Sequence, residues 1–445
     1  MRDNTILILT YNYNDNLKDY PLVKYVKCHF GAYLSWDIYL VHPLKRLFSK
    51  VIIYDYLERR AEIGLKAVNE EILSIARKEQ PKYVLWTSFY YDVFESTLDT
   101  IRNEGSIVVG WFFDDEWRFD AYSRWWISSL DYVVTNAREA VPKYRDLNAR
   151  VILTIPNTGV SVDHDWSTTE EKYSVSFVGT RSCADRDRWT IELKNKGIPV
   201  SLFGTGWGRY ISFDEMLTIF KTSKINLNFS KTNADPDKLQ IKGRIFQVCL
   251  AGGFLLTEYA PGIEDYFEID KEIICFKNTK EMLEKIYYYL SHEPERRAIA
   301  QAGWRRAYHD YTSSAMVSRV FQEIENDRAM PDAKRSSHPV KMKMPMQIRK
   351  NPSRYHLEWG IAALEENQKI FWKDDLKMSL SYNQFNLKAR YYYICGFLPR
   401  PLCVRFIYVY GALEKLTRIT TYSRYADYIP VLRGVKRRIK EHYHL

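Results

Sequence analysis

Short apolar runs rich in β-favouring residues, separated by stretches with helical spacing, constrain this chain more than any other feature. In the first third they are TILILTYN (5–12), KVIIYDY (50–56), YVLWTS (83–88), IVVGWFF (107–113), YVVTN (132–136) and VILTI (151–155). Each is short for a helix and too evenly apolar to keep a wet face, the pattern of a strand covered on both sides. Amphipathic stretches near 59–78, 93–103 and 122–130, and another before Val151, read as helices between them. Strands alternating with helices predict βαβ units. Right-handed crossovers then give an open, doubly wound parallel sheet.

The pattern pauses and restarts. Residues 156–172 carry turn residues and acids without an apolar period, and read as a linker. VSFVG (175–179), VSLFG (200–204), INLNFS (225–230) and EIICF (272–276) are the next strands, with helices near 188–195 and 213–222 and two more up to about Tyr311. The densest information lies in QIKGRIFQVCLAGGFLLTEYAPGIEDYF (240–267). Ile245, Phe246, Val248, Cys249 and Leu250 give a helix with a wide apolar face, and Gly252-Gly253 end it through the positive φ that glycine tolerates. Phe254–Thr257 is a buried strand end, and Pro261-Gly262 turns the chain.

Beyond about 325 the composition changes. Residues 326–354 read as a Lys-, Pro-, Ser- and Met-rich basic linker, and 355–445 as a helical tail with helices near 355–367, 373–383, 385–396 and 401–416. The expected architecture is α/β. It comprises two Rossmann-like doubly wound domains (1–160 for an acceptor, 172–325 for a donor) and an α-helical C-terminal extension. Net charge is +10, with the excess after residue 330. The tail segment YYYICGFLPRPLCVRFIYVYG is apolar, broken by Pro399 and Pro401, and carries Arg400 and Arg405. It is too interrupted to span a bilayer, and is read as a candidate membrane-surface element, a helix packed on the body or a dimer contact. The positive charge belongs to a linker and tail without a recognisable nucleic-acid module, so no nucleic acid is expected. Six cysteines without CxxC or zinc spacing suit a reducing cytoplasm. No stretch reads as a secretory leader.

In open α/β sheets ligands bind beyond the carboxyl ends of the strands. In the second half that edge carries Gly179-Thr180-Arg181, Gly204 and Thr257-Glu258; in the first half it carries Asn12, Ser88 and Asp114-Asp115. Gly179 and Gly204 let backbone approach a bulky ligand. Lys242 and Arg244 open a helix, where cations oppose the helix dipole. With Arg181 and Arg186 they can converge on a diphosphate, arginine holding oxygens in bidentate fashion. Solvated basic turns and an N-capping Asp pair are the plainer readings of the same residues. Two such edges across a cleft suit a transferase with a nucleotide on one side and an acceptor on the other.

FVGT (177–180), Arg186, GIPVSLFGTGW (197–207), KINLNFS and the 240–267 segment together resemble the CgeB-like glycosyltransferases, related to the family 4 retaining enzymes. The likeness is specific over 174–312 and loose before 156, where WFFDDEW is the best anchor. It implies a GT-B pair of Rossmann-like domains, a nucleotide-diphosphate sugar donor held mainly by the second, a glycan or lipid-linked acceptor, and no required metal. Family 4 enzymes carry paired glutamates; the matching positions are Leu239 and Gln247, so Gln247 meets the ribose without the charge. Glu258 and Glu264 are the nearest acids, Glu264 standing where the family places a glutamate. The expected mechanism is transfer with retention, with Arg186, Lys242 and Arg244 meeting the diphosphate charge and Asp114 or Asp115 orienting the acceptor. A metal-dependent GT-A enzyme with its ion on Asp114-Asp115-Glu116, a nucleotide-sugar epimerase and a non-catalytic sugar-binding scaffold are the alternatives.

Overall fold

The structure is a computed structural model of the chain. It describes residues 4–11, 37–88, 90–156, 159, 169–181, 184–204, 206–208, 211–232, 237–330, 339, 341–365, 371–399, 401–403 and 405–407. Asn12, Cys28, Cys183, most of the 156–172 linker and most of the expected 401–416 helix lie outside them.

The first half holds β1 (Thr5–Thr10), α1 (His42–Leu47), β2 (Lys50–Asp55), α2 (Tyr56–Ile63), α3 (Leu65–Glu79), β3 (Tyr83–Ser88), α4 (Glu95–Asn103) and β4 (Ile107–Phe112). There follow α5 (Asp115–Arg118), β5 (Tyr132–Thr135), α6 (Ala140–Asp146) and β6 (Val151–Leu153). The strands form one parallel sheet in the order β2-β1-β3-β4-β5-β6. β1, β3 and β4 are buried along their whole length, as double-sided cover requires.

Two local expectations change. The single helix over 59–78 is two, because Gly64 sits at φ 83° and breaks it. The helix near 122–130 is instead two short 3₁₀ turns, Ser123–Trp125 and Ile127–Ser129. Trp125, Trp126 and Ile127 are consecutive and all buried, which one face of an α-helix cannot achieve.

The second half holds β7 (Tyr173–Val178), α7 (Ala184–Asn195), β8 (Val200–Phe203), α8 (Phe213–Lys221), β9 (Ser223–Asn228), α9 (Gly243–Leu250), β10 (Leu255–Glu258) and β11 (Ile274–Phe276). Three helices follow: α10 (Thr279–Ser291), α11 (Glu293–Asp310) and α12 (Ser313–Ala329). This sheet is also all parallel, in the order β11-β10-β9-β7-β8. Its core joins Val175, Phe177, Ile225, Leu227, Leu256 and Ile274 to the apolar faces of α10 and α11. The strand order reverses between β7 and β9, and a crevice opens at such a point in a doubly wound sheet.

α12, grouped up to residue 325 with the second half on sequence, packs on the first instead. Phe321 meets Phe48 and Tyr83 edge-on at ring separations of 5.0 and 5.2 Å. Glu325 accepts from Lys82 at 2.5 Å and Asp327 from the Tyr132 hydroxyl at 2.6 Å. Both sheets and α12 belong to one compact unit that runs on to Met344.

The second unit is built on the chain from Pro345. It holds α13 (Met346–Glu365), α14 (Phe371–Tyr382) and α15 (Leu387–Cys395). The expected basic linker to 354 is therefore shorter, because α13 starts at Met346 and runs through Pro352. Packing overrides the proline: Ser353, Tyr355, His356 and Leu357 are buried, and Ser379 donates to the Ser353 carbonyl at 2.7 Å. Among the described residues no helix is long and apolar enough to cross a membrane.

Candidate active site

At the carboxyl edge of the second sheet two cations gather where the strand order reverses, the crevice position of a doubly wound sheet. Phe177, the last but one residue of β7, has two guanidinium groups over its ring, Arg186 at 5.3 Å and Arg244 at 5.1 Å from the ring centroid. Arg186, in the first turns of α7, is 5% exposed, and its Nη1 donates to both the carbonyl and the hydroxyl of Thr180. Arg244, at the start of α9, donates to Asn228 Oδ1 at 2.9 Å. Asn228 is held in turn, its amide donating to Thr257 Oγ1 at 2.9 Å. Burial first, then the charge of Arg186, pushes Arg244 down to about 9. It is still a cation at neutral pH.

Two glycines make room for this arrangement. A side chain on Gly179 would place its Cβ 2.7 Å from Arg244 Nη2. Gly204, at φ 105°, lies so close to Gly179 that a Cβ would stand 2.7 Å from the Gly179 carbonyl oxygen. At Gly204 the clash is with backbone at a positive φ, so glycine is required there, whereas at Gly179 a side chain would displace the Arg244 guanidinium.

Across from this crevice the first sheet contributes the residues after β4. Asp114 has φ 61°, a left-handed conformation rare outside glycine but tolerated by Asp. The kink separates its carboxyl from that of Asp115. Asp115 is 1% exposed and accepts from the hydroxyls of Ser123, Thr135 and Tyr144. Burial pushes its pKa up, and those three hydroxyls and Arg118 oppose the shift. Asp115, expected as one of two candidates to orient an acceptor, is thus turned inward onto three hydroxyls. Asp114 instead faces the second half, accepting from Gln240 Nε2 at 2.9 Å. The same Nε2 lies 3.1 Å from Glu116 Oε2, and Gln240 Oε1 accepts from Lys242 Nζ at 2.9 Å. Glu116 is 7% exposed; desolvation, then its own backbone hydrogen bond against the nearby charges of Asp114, Glu139 and Asp115, leaves its pKa raised to about 8.

The remaining expected residues divide. Lys242 is the N-cap residue of α9 and stands between the acids and Arg244 in the chain, tied to Gln240. Gln247 donates to the Tyr39 hydroxyl at 2.7 Å, a second link between the halves. Arg181 points outward to Asp187 at 2.7 Å, with its guanidinium 5.3 Å from the Trp207 ring. Thr257 is buried and tied to Asn228. Glu258, expected as an acid at the donor edge, anchors the chain after β9: its Oε2 accepts the Ser230 backbone N–H at 2.8 Å, and its carbonyl accepts the Ser230 hydroxyl. Glu264 is exposed and accepts from the Tyr259 hydroxyl at 2.6 Å; that bond, first among the causes, holds its carboxyl below the usual range.

Sequence reasoning missed Gln240, Asn228, Phe177 and Tyr39 as parts of this region. Asn226 and Asn228, two amides in a buried strand, were a readable signal, since such groups must find partners. Gln240 gave none. Among the described residues no group of three or more His, Cys, Asp or Glu is arranged to hold a metal ion.

The chain is similar to several solved structures. One is TarM of S. aureus, 8% identical, with 57% of this chain and 58% of TarM covered at a TM-score of 0.44. HepE of Anabaena, solved with UDP and glucose, is 10% identical over 72% of this chain and 99% of its own at a TM-score of 0.45. An α-glucosyltransferase solved with UDP-glucose and DNA containing an abasic site is 12% identical over 72% and 99% at a TM-score of 0.47. The chain thus spans little more than half the length of TarM. No curated protein sequence matches it. Residues 186–322, under a third of the chain and including Arg186, Gln240, Lys242 and Arg244, match the model of the family described as glycosyl transferase-like.

Proposed function

We propose that this chain transfers a sugar from a nucleotide-diphosphate donor to an acceptor hydroxyl, as a GT-B-type glycosyltransferase of the CgeB-like kind. The observation that carries the reading is the pair of guanidinium groups on Phe177 at the strand reversal. Among the described residues Arg244 donates to a neutral amide oxygen, and the charge that bears on it is another cation. Such a pair gains most from an anion carrying charge-assisted hydrogen bonds, and a diphosphate matches it. The family match, which takes in Arg186 and Arg244 but not Phe177, supports the reading.

In this mechanism the acceptor hydroxyl attacks the anomeric carbon from the side on which the diphosphate departs, so configuration is retained. The bond from that carbon to the diphosphate oxygen breaks, and the hydroxyl proton leaves with the diphosphate. Arg186, Arg244 and Lys242 meet the growing negative charge. Asp114 receives the hydrogen bond that orients the acceptor. Gln247 serves the ribose, and Gly179, Thr180 and Gly204 line the approach. The test is direct: incubate the protein with a panel of nucleotide sugars and follow nucleoside diphosphate release, with and without glycan or lipid-linked acceptors. Release with at least one donor supports transfer. Conversion of the sugar without any acceptor points to an epimerase, and no turnover with any donor removes the reading.

We place this activity in glycoconjugate or polysaccharide synthesis on the cytoplasmic face of a membrane. The support is the tail. Phe385, Leu387, Ile394, Phe397, Leu402 and Phe406 are exposed beside Arg390 and Arg405. Leu387 and Ile394 lie two turns apart on one side of α15. Apolar side chains with basic neighbours suit an anionic lipid surface.

A further inference from the structure

Gln240 is 126 residues from Asp114 in sequence, yet it is the group through which the acids of the first half meet the cations of the second. Its position is not left to its own side chain. The Gln240 backbone N–H donates to the Ser230 carbonyl at 2.8 Å, and Lys231 and Leu239 form an antiparallel bridge. Ser230 is fixed by Glu258 through both its N–H and its hydroxyl. The 230–240 excursion after β9 is therefore clamped at its base, and its clamp is a buried carboxylate. From that base the Gln240 amide spends all its polarity at once: the –NH₂ reaches Asp114 and Glu116, and the oxygen takes Lys242. An amide is the one uncharged side-chain group that can bridge two carboxylates with its donors while accepting from an ammonium.

We propose that Gln240 is a positioning residue that holds Asp114 and Glu116 side by side and couples them to Lys242, linking the acceptor carboxylates to the diphosphate clamp. This rests on the transfer reading above. Two carboxylates close together repel, and hydrogen bonds donated to the charged forms offset that repulsion. Glu116 is faced by Asp114 and Asp115 from its own segment, by Glu139 ahead of α6, and by Gln240 and, behind it, Lys242 from the second half. From that second half it is the Gln240 amide that donates to the Glu116 carboxyl.

The experiment compares the full chain with Gln240→Leu, Gln240→Glu and Gln240→Asn. Carboxyl ¹³C chemical shifts are followed against pH without donor, the Glu116 signal being assigned with Glu116→Gln. Gln240→Leu should move the Glu116 titration upward by about 0.5–1 unit, and Gln240→Glu further, because a third carboxylate replaces the donor. The acidic limb of the kcat/KM profile should move in the same direction. kcat should fall about tenfold or more while the affinity for nucleoside diphosphate changes less than threefold. Gln240→Asn, too short to span both acids, should lie between parent and Gln240→Leu, and serves if the leucine variant does not fold. A Glu116 titration that stays in place in folded variants overturns the proposal. If the parent turns over no nucleotide sugar, the transfer reading falls instead, and the carboxyl titration still decides the role of Gln240.

Discussion

Replacing Arg244 tests the donor crevice most sharply. The centres of the Arg186 and Arg244 guanidinium groups lie 5.3 and 5.1 Å from the same ring centroid, so they stand no more than about 10 Å apart. At an effective dielectric of about 20, two unit charges at that limit repel by roughly 1.5 kcal/mol, and more if closer. Without ligand, Arg244→Ala removes this repulsion. It also removes a hydrogen bond to Asn228, to a neutral acceptor but from a charged donor, worth about 1.5–3 kcal/mol, and a cation–π contact worth about 0.5–2 kcal/mol. These opposing terms leave a modest loss of stability, within about 3 kcal/mol. With a diphosphate bound the balance differs, because the repelling pair now shares an anion. Losing one charge-assisted contact of about 1.5–3 kcal/mol should weaken nucleoside diphosphate binding about tenfold to a hundredfold. Binding of the bare nucleoside should hardly change, since it carries no phosphates. Arg244→Lys should recover part, keeping charge but not the planar fork. Calorimetric titration with nucleoside diphosphate and nucleoside, beside thermal unfolding, reads both sides. If Arg244→Ala folds normally and binds the diphosphate like the parent, the donor does not sit on Phe177 and the crevice has another purpose.

Other outcomes follow from the same geometry. Asp115→Ala leaves three buried hydroxyls without their acceptor and should cost about 3 kcal/mol or more in urea unfolding, whereas Asp114→Ala should cost under about 1 kcal/mol; equal losses would contradict the inward assignment of Asp115. Glu116, with a folded pKa of about 8 above the ordinary value of 4.5, contributes stability that is fully present below the unfolded value. That contribution is lost as pH rises toward 8, at up to about 1.4 kcal/mol per pH unit. Glu116→Gln should flatten this slope, and an unchanged slope in unfolding measured from pH 5 to 8 would show that Glu116 does not titrate there. A chain ending at Met344 keeps α12 on the first sheet and should stay folded and bind nucleoside diphosphate, but lose sedimentation with anionic vesicles at low salt. If the full chain ignores such vesicles, the tail does not serve a membrane.

The alternation of apolar runs and helices was legible because strand burial and helix periodicity are local properties. Residues 83–88 and 107–112 show their burial in their own composition, and the two parallel sheets follow from it. The placement of Gly179, Gly204, Arg186 and Arg244 at strand ends or helix starts was legible for the same reason. The tertiary structure alone decided which of two adjacent aspartates turns inward, through the left-handed backbone at Asp114 and three hydroxyls from Ser123, Thr135 and Tyr144. It alone returned α12 to the first sheet, where Phe321 packs edge-on against both Phe48 and Tyr83. And it alone joined Gln240 to Asp114 and Glu116. A hydrogen bond across more than a hundred positions leaves no period in the chain. It exists only once both sheets have folded and their carboxyl edges face each other.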